Sequence, residues 1–289
     1  MRNVTKDNIT DVFLGYFGQN TDPRLMEIMS SLAHHLHAFV RETGLTHDEW
    51  AKGIEILEKA GEISDKERHE FVLLSDVLGI SSLVDMVNNV PEGTSSSVLG
   101  PFHIADAPAI PFGHDMKRHY GGEVLLARGT VRDPDGNPIQ GASLDIWQTA
   151  PNGLYSSQDA EQDTYSFHGI QTTGADGRYG FTTVKPVSYT VPTDGPAGEL
   201  LDATGRHPWR PSHLHFIAKA DGFRTLVSEV FAADDPYLDQ DTVFGVREDL
   251  VMEYQSQPAG TFPSEGYDLS GKVDGPWLLV EFDLTLTRA

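Results

Sequence analysis

Two hydrophobic periods divide this chain. Up to about residue 90, apolar positions recur every three or four residues, which is helical spacing: Leu25, Ile28, Met29, Leu32, Leu36, Phe39 and Val40 form one long stripe. Asp22 followed by Pro23 reads as an N-cap with proline in the first turn, and Gly44 as the stop. Thr46 with Glu49 and Ser64 with Glu67 have the spacing of capping boxes, with Gly61 and Gly79 at the matching C-terminal ends, so three to five helices are expected. Periodicity of this kind breaks at Asn88–Ser97, where Pro91, Gly93 and several serines accumulate.

Beyond the break the period is two. Val124–Val131, Ala142–Trp147, Arg178–Val184, His213–Ala218 and Arg224–Phe231 read as strands, separated by turn chemistry at Asp133–Pro138, Gly174–Gly177 and Ala220–Gly222. At the C-terminal end Val280, Phe282, Leu284 and Leu286 alternate with Glu281, Asp283, Thr285 and Thr287. The expected fold is α+β, with a helical domain over residues 1–95 and an antiparallel β-sandwich over residues 96–289. Under that pattern the long stripe fits helix core, a dimer seam or a lipid-binding groove.

Composition removes several chemistries. There is no cysteine, so disulfides, thiolate nucleophiles, thiolate zinc sites and iron–sulfur clusters are excluded, and any metal must be held by His, Tyr or carboxylate. Against 21 Lys and Arg stand 43 Asp and Glu; the formal charge of −22 repels nucleic acid and anionic membranes. No apolar run is long enough to span a bilayer and the first residues lack the apolar core of a signal peptide, so a cytoplasmic location without membrane insertion is expected. An anionic substrate would need local positive charge, for which a metal and Arg210 are the candidates. P-loop, dinucleotide-binding and nucleophile-elbow patterns are missing.

His213 and His215 are the sharpest chemical signal, because side chains two apart on a strand point the same way and two imidazoles can fill two positions around one ion. By itself such a pair also fits a solvated strand face. Tyr155 and Tyr189 stand in turn-like settings upstream, where a packing role is the ordinary one for tyrosine. His34, His35 and His37 lie on the long helix without a third ligand nearby and are read as an exposed face.

Together with their surroundings these residues resemble the intradiol ring-cleaving dioxygenases. The matching stretches are Val98–Phe102, Asp145–Gln148, Asn152–Tyr155, Asp176–Tyr179, Tyr189–Pro196 and Gly205–Phe216, and the helical third is similar to the N-terminal domain of the catechol and hydroxyquinol members. The resemblance implies a non-haem Fe(III) cofactor with Tyr155, Tyr189, His213 and His215 as its ligands. It also implies Tyr189 as acceptor of a substrate proton and Arg210 as stabiliser of charge developing on the substrate. Two phenolates and two imidazoles suit ferric iron, since the hard anionic donors offset much of the trivalent charge. The implied partners are an aromatic diol or triol and O2, a second copy of the chain docked through the N-terminal helices, and a phospholipid at that interface.

Within the family, Leu73–Gly79, Tyr237–Val246 and Gly271–Trp277 resemble the members that cleave hydroxyquinol, benzene-1,2,4-triol, to 3-hydroxy-cis,cis-muconate or its tautomer maleylacetate. By the same resemblance Leu73, Asp76, Val98, Gly100, Pro101, Phe102, Val191, Pro192, Arg210 and Val243 line the ring pocket. Asp76 carries the selectivity argument: a carboxylate can accept from the third hydroxyl, which catechol lacks. A helix cap or ion pair is its plain alternative. Cleavage of catechol or chlorocatechol to cis,cis-muconate is the rival activity, and an inactive metal-free binding module the rival class, which the presence of all four ligands and Arg210 argues against. Glu229 stands where catechol-cleaving members commonly carry glutamine.

Overall fold

A computed structural model describes residues 3–66 and 68–289, and the chain divides into two compact units, Met1–Glu58 and Lys59–Ala289. The first holds α1 (Ile9–Leu14) and α2 (Pro23–Thr43). Asp22 caps α2 by accepting from the Leu25 N–H at 2.9 Å, and Gly44 ends it in the left-handed region at φ 62°, as the sequence predicts. The Thr46–Glu49 box opens α3 (His47–Ile63): the Glu49 carboxylate takes the Thr46 N–H at 2.8 Å while Thr46 Oγ1 takes the Glu49 N–H at 3.3 Å. In α2 only Ala33 is buried and no residue of the stripe is; Leu36 and Phe39 are each about half exposed. An intramolecular core therefore does not account for that stripe.

In the second unit α3 runs through Gly61 to Ile63 instead of ending at the glycine; Ser64 Oγ donates to Ala60 O at 2.6 Å and accepts from the Glu70 N–H at 3.1 Å. Glu67, the partner expected for Ser64, lies outside the described residues. Helices α4 (Glu70–Val77) and α5 (Ile80–Asn88) meet at Gly79, whose φ of 72° makes the corner that glycine adopts without strain.

Two five-stranded sheets follow. One contains β1 (Val124–Arg132), β4 (Arg178–Val184), β10 (Gln255–Gln257), β11 (Trp277–Glu281) and β12 (Leu284–Thr285). The other runs in the order β3 (His168–Thr172), β2 (Ser143–Trp147), β7 (His213–Lys219), β8 (Leu226–Ala232), β9 (Val251–Met252). A small ladder joins β5 (Tyr189–Thr190) to β6 (Trp209–Arg210), with α6 (Pro196–Ala203) between them in sequence. The sheets are mixed, not antiparallel: β1 pairs in parallel with β11 and β12, and β8 with β9. A period of two reveals which face a residue occupies and is silent on strand direction.

Leu125, Ala127, Tyr179, Phe181, Val280 and Leu284 from the first sheet share one core with Leu144, Ile146, Leu214, Phe216, Ala218 and Val230 from the second. Each buried Leu, Ile, Val or Phe among them contributes about 1.5–3 kcal/mol by leaving water. Burying Leu214, Phe216 and Ala218 there turns His213, His215 and Ile217 to the opposite face of β7, and that face is buried too.

Candidate metal centre

Strand pairing sets up the site. Along the outer face of the second sheet the register places His168 opposite Trp147, Trp147 opposite His215 and His215 opposite Glu229, a row crossing β3, β2, β7 and β8. His213 sits one step along β7. Tyr189 is paired directly with Arg210 in the β5–β6 ladder, which brings both to the same edge. Tyr155 arrives on a turn in which the Gly153 N–H bonds Ala150 O at 2.9 Å and Gly153 takes φ 78°. Its ring stacks on Phe102 with centroids 5.1 Å apart.

The four residues expected as ligands converge. Tyr155 Oη lies 3.3 Å from Tyr189 Oη, 3.3 Å from His213 Nε2 and 3.0 Å from His215 Nε2, and the two Nε2 atoms are 3.0 Å apart. All four side chains are at most 5% exposed. Burial pushes both phenols up, Tyr155 well above the ordinary tyrosine value with Tyr189 adding to it, while for Tyr189 the Arg210 charge partly offsets the rise. Burial likewise pushes both imidazoles down, His215 furthest, so both are neutral and able to offer a lone pair. His213 Nδ1 bonds Pro211 O at 2.7 Å, which puts the ring proton on Nδ1 and leaves Nε2 unprotonated toward the cluster. Two neutral imidazoles beside two phenols whose ionisation a nearby cation would favour make a donor set that fits a bound metal.

Arg210 is 2% exposed and clamped by two carboxylates. Nε and Nη2 donate to Asp241 at 3.0 and 3.1 Å, and Nη1 and Nη2 donate to Glu229 at 2.9 and 3.1 Å. Nη1 is also 3.3 Å from His213 Nε2, and the guanidinium acts on Tyr189 as well, so it faces the cluster. Burial alone would lower the arginine, but Asp241 and Glu229 outweigh it and hold the charge; burial would raise Glu229, and Arg210 brings it below its ordinary value. Gly245 covers this clamp, where a Cβ would lie 2.8 Å from both Arg210 Nη2 and Glu229 Oε2.

The expected pocket residues are buried, apart from the half-buried Gly100 and Pro192. Gly100 lies against the ring of His215, where a Cβ would come 3.8 Å from Cε1, and Pro101 and Phe102 follow it. Val98 adjoins Ser97, whose hydroxyl donates to Glu229 Oε2 at 2.6 Å. Val191 and Pro192 continue from Tyr189, and the Val243 N–H points to Asp241 Oδ1 at 3.3 Å. Leu73 and Asp76 are one turn apart on α4, 2% and 1% exposed. Asp76 Oδ1 is buried without a hydrogen-bond partner, which sets aside a simple cap or ion pair for that oxygen. Burial raises its carboxyl to about 6, with Glu229 and Asp241 adding to the rise and Ser81 and Arg210 opposing it.

A second cluster was not legible beforehand. Asp145 accepts from His103 Nε2 at 2.8 Å and His168 Nε2 at 2.7 Å, and both rings pack around Trp147, whose indole stacks flat on His215 at 4.5 Å. Burial would raise Asp145, but the two imidazoles bring it to about 2. An acidic residue between Leu144 and Ile146 in a core strand was the available signal. Asp241 was missed as well, although it stands in the quoted Tyr237–Val246 stretch.

The family model for "Dioxygenase" matches residues 100–275 and that for "Catechol dioxygenase N terminus" matches residues 22–95. With those matches and the relatives below, the chain belongs to the intradiol ring-cleavage dioxygenases, and membership implies non-haem iron. It is similar to the hydroxyquinol 1,2-dioxygenase of Rhizobium sp. (strain MTP-10005), 47% identical over 92% of this chain and 90% of that one. The hydroxyquinol 1,2-dioxygenase of Nocardioides simplex is 42% identical over 98% and 96%. A solved hydroxyquinol 1,2-dioxygenase from Pseudomonas putida DLL-E4 superposes with a TM-score of 0.85 at 41% identity, covering 98% of this chain and 99% of that one.

Proposed function

We propose that this protein is an intradiol dioxygenase that cleaves hydroxyquinol between its adjacent hydroxyl-bearing carbons, using O2, to 3-hydroxy-cis,cis-muconate and its tautomer maleylacetate. Both atoms of O2 enter the product, so no outside reductant is consumed. The observation that carries the choice of substrate is the buried, unpartnered Asp76 Oδ1, an acceptor for a third ring hydroxyl. Left unused by catechol, that oxygen disfavours catechol.

Tyr155, Tyr189, His213 and His215 would hold the iron, and two phenolates favour Fe(III). Bound iron supplies the Lewis acid and the electron path between diol and O2. Tyr189 Oη is the base that takes a substrate hydroxyl proton. Arg210 offers one N–H, on Nη1, toward a substrate oxygen; its clamp by Glu229 and Asp241 keeps that donor preorganised, so its contribution is electrostatic. Leu73, Val98, Gly100, Pro101, Phe102, Val191, Pro192 and Val243 complete a mostly apolar slot for the ring.

Residues 1–95 serve as a dimerisation domain and 96–289 as the catalytic domain, in the cytoplasm. The half-exposed Leu25, Ile28, Leu32, Leu36, Phe39 and Val40 form the seam of a homodimer with a phospholipid enclosed, and the described residues contain no helix long and apolar enough to cross a membrane. Oxygen uptake by iron-loaded protein with hydroxyquinol and with catechol tests the activity, with a Tyr155→Phe control to subtract spontaneous oxidation. Faster uptake with hydroxyquinol is expected. A preference for catechol would move the substrate, and uptake equal to the control with both would overturn the reading.

A further inference from the structure

The two imidazoles of the cluster are supported differently. His213 Nδ1 has a neutral partner, Pro211 O. Among the described residues His215 Nδ1 is buried without a hydrogen-bond partner, yet Glu229 Oε1 stands 3.4 Å from it, and 3.3 Å from His213 Nε2. The ring has little freedom to look elsewhere, because Trp147 stacks on it with an interplanar angle of 3° and the β-ladder places Glu229 directly opposite on β8. Glu229 is just as fixed: it is 0% exposed, bridged twice by Arg210, bonded by Ser97 and covered by Gly245. Closing 3.4 Å to a hydrogen bond needs about half an ångström of movement.

We propose that Glu229 is a positioning residue for the metal: its Oε1 accepts a hydrogen bond from the Nδ1–H of His215, which fixes the tautomer that leaves Nε2 free to coordinate, while the same carboxylate holds Arg210. The inference rests on the reading of His213 and His215 as ligands. It makes the partners of the two imidazoles unequal, a carboxylate for His215 and a carbonyl for His213, and a carboxylate raises the donor strength of its own ring more than a carbonyl would. Glutamine, although isosteric, meets these demands only in part. With its oxygen in the place of Oε1 it still serves His215 and Arg210 Nη1, but it carries no charge and its amide N–H groups face the donors Arg210 Nη2 and Ser97 Oγ; turned around, it offers His215 Nδ1 a donor where an acceptor is needed.

A measurement on the unaltered protein avoids any folding defect. With [15N]histidine labelling and Ga(III) as a diamagnetic substitute for ferric iron, His215 is expected to show an Nδ1–H proton in slow exchange, further downfield than that of His213. A parallel comparison in iron-loaded protein uses a chelator challenge. Glu229→Gln is expected to lose iron retention by roughly tenfold or more. Asp241→Asn removes the same charge from Arg210 without touching His215, and should lose much less. Equal losses in the two variants, or a His215 without Nδ1–H in the Ga(III) protein, overturn the role of Glu229. Histidine resonances unmoved by Ga(III) would overturn the ligand reading itself.

Discussion

Replacing Asp76 by asparagine should make the protein more stable at neutral pH, with a pH profile that identifies the cause. The carboxyl is raised from 3.8 to about 6, chiefly by burial. At about 1.4 kcal/mol per pH unit, this penalises the ionised folded form by roughly 3 kcal/mol. Above pH 6 the folded protein carries that penalty in full; below 3.8 the group is protonated in both folded and unfolded chains and the penalty vanishes. Asparagine never ionises, so its stability advantage over the native chain should grow by up to about 3 kcal/mol between pH 4 and pH 7. Urea unfolding of both proteins at several pH values across that range gives the difference directly, and any constant offset from the amide drops out. A difference that stays flat with pH would refute the idea that Asp76 is a penalised carboxylate. The same variant should lower the ratio of kcat/KM for hydroxyquinol to that for catechol. If it does both, stability has been given up for substrate selection at this residue.

Tyr155→Phe removes one of the four converging donors, and iron per chain after dialysis, with the visible colour of the protein, should fall well below the native level; full iron content would remove Tyr155 from the ligand set. Asp145→Asn should cost up to about 2 kcal/mol at pH 7, because a carboxyl lowered from 3.8 to about 2 stabilises the fold above pH 3.8 and loses that effect as pH falls through 2. A stability difference unchanged between pH 7 and pH 2 would show that its ionised carboxylate is immaterial to the fold. Gly245→Ala drives a methyl to within 2.8 Å of Arg210 Nη2 and Glu229 Oε2, and should lower the urea unfolding free energy by about 1–3 kcal/mol. Native stability in that variant would mean the clamp can yield.

What the sequence made legible was what local rules encode. Asp22, Pro23 and Gly44 bounded α2 because capping depends on a few adjacent residues, and five long strands were found because their side chains alternate. β3, reading His-Gly-Ile-Gln-Thr, lacks an apolar alternation and went unseen, as did α6, which follows directly on the Asp194–Gly195 turn. Parallel pairing of β1 with strands about 150 residues later is a property of the assembled sheet. In the site, His213 and His215 stood out by their spacing on one strand, whereas Tyr155 and Tyr189 joined them only through a family resemblance spanning separated stretches, since no local spacing links the tyrosines to the pair. Glu229 was noticed only as a departure from relatives. Its meaning, like that of Asp145 and Asp241, depends on which side chain lies across from it on a neighbouring strand.

The row His168, Trp147, His215 and Glu229 ties the chemistry to the pairing of four strands. If β7 slipped by one residue, Leu214 and Phe216 would occupy the places of the imidazoles, and His213 and His215 would turn into the hydrocarbon core. A mispaired sheet could thus neither bury its apolar face nor present the donor set. Under the proposed ligand set, the fraction of refolded molecules that take up iron would also count those whose second sheet was assembled in the right frame.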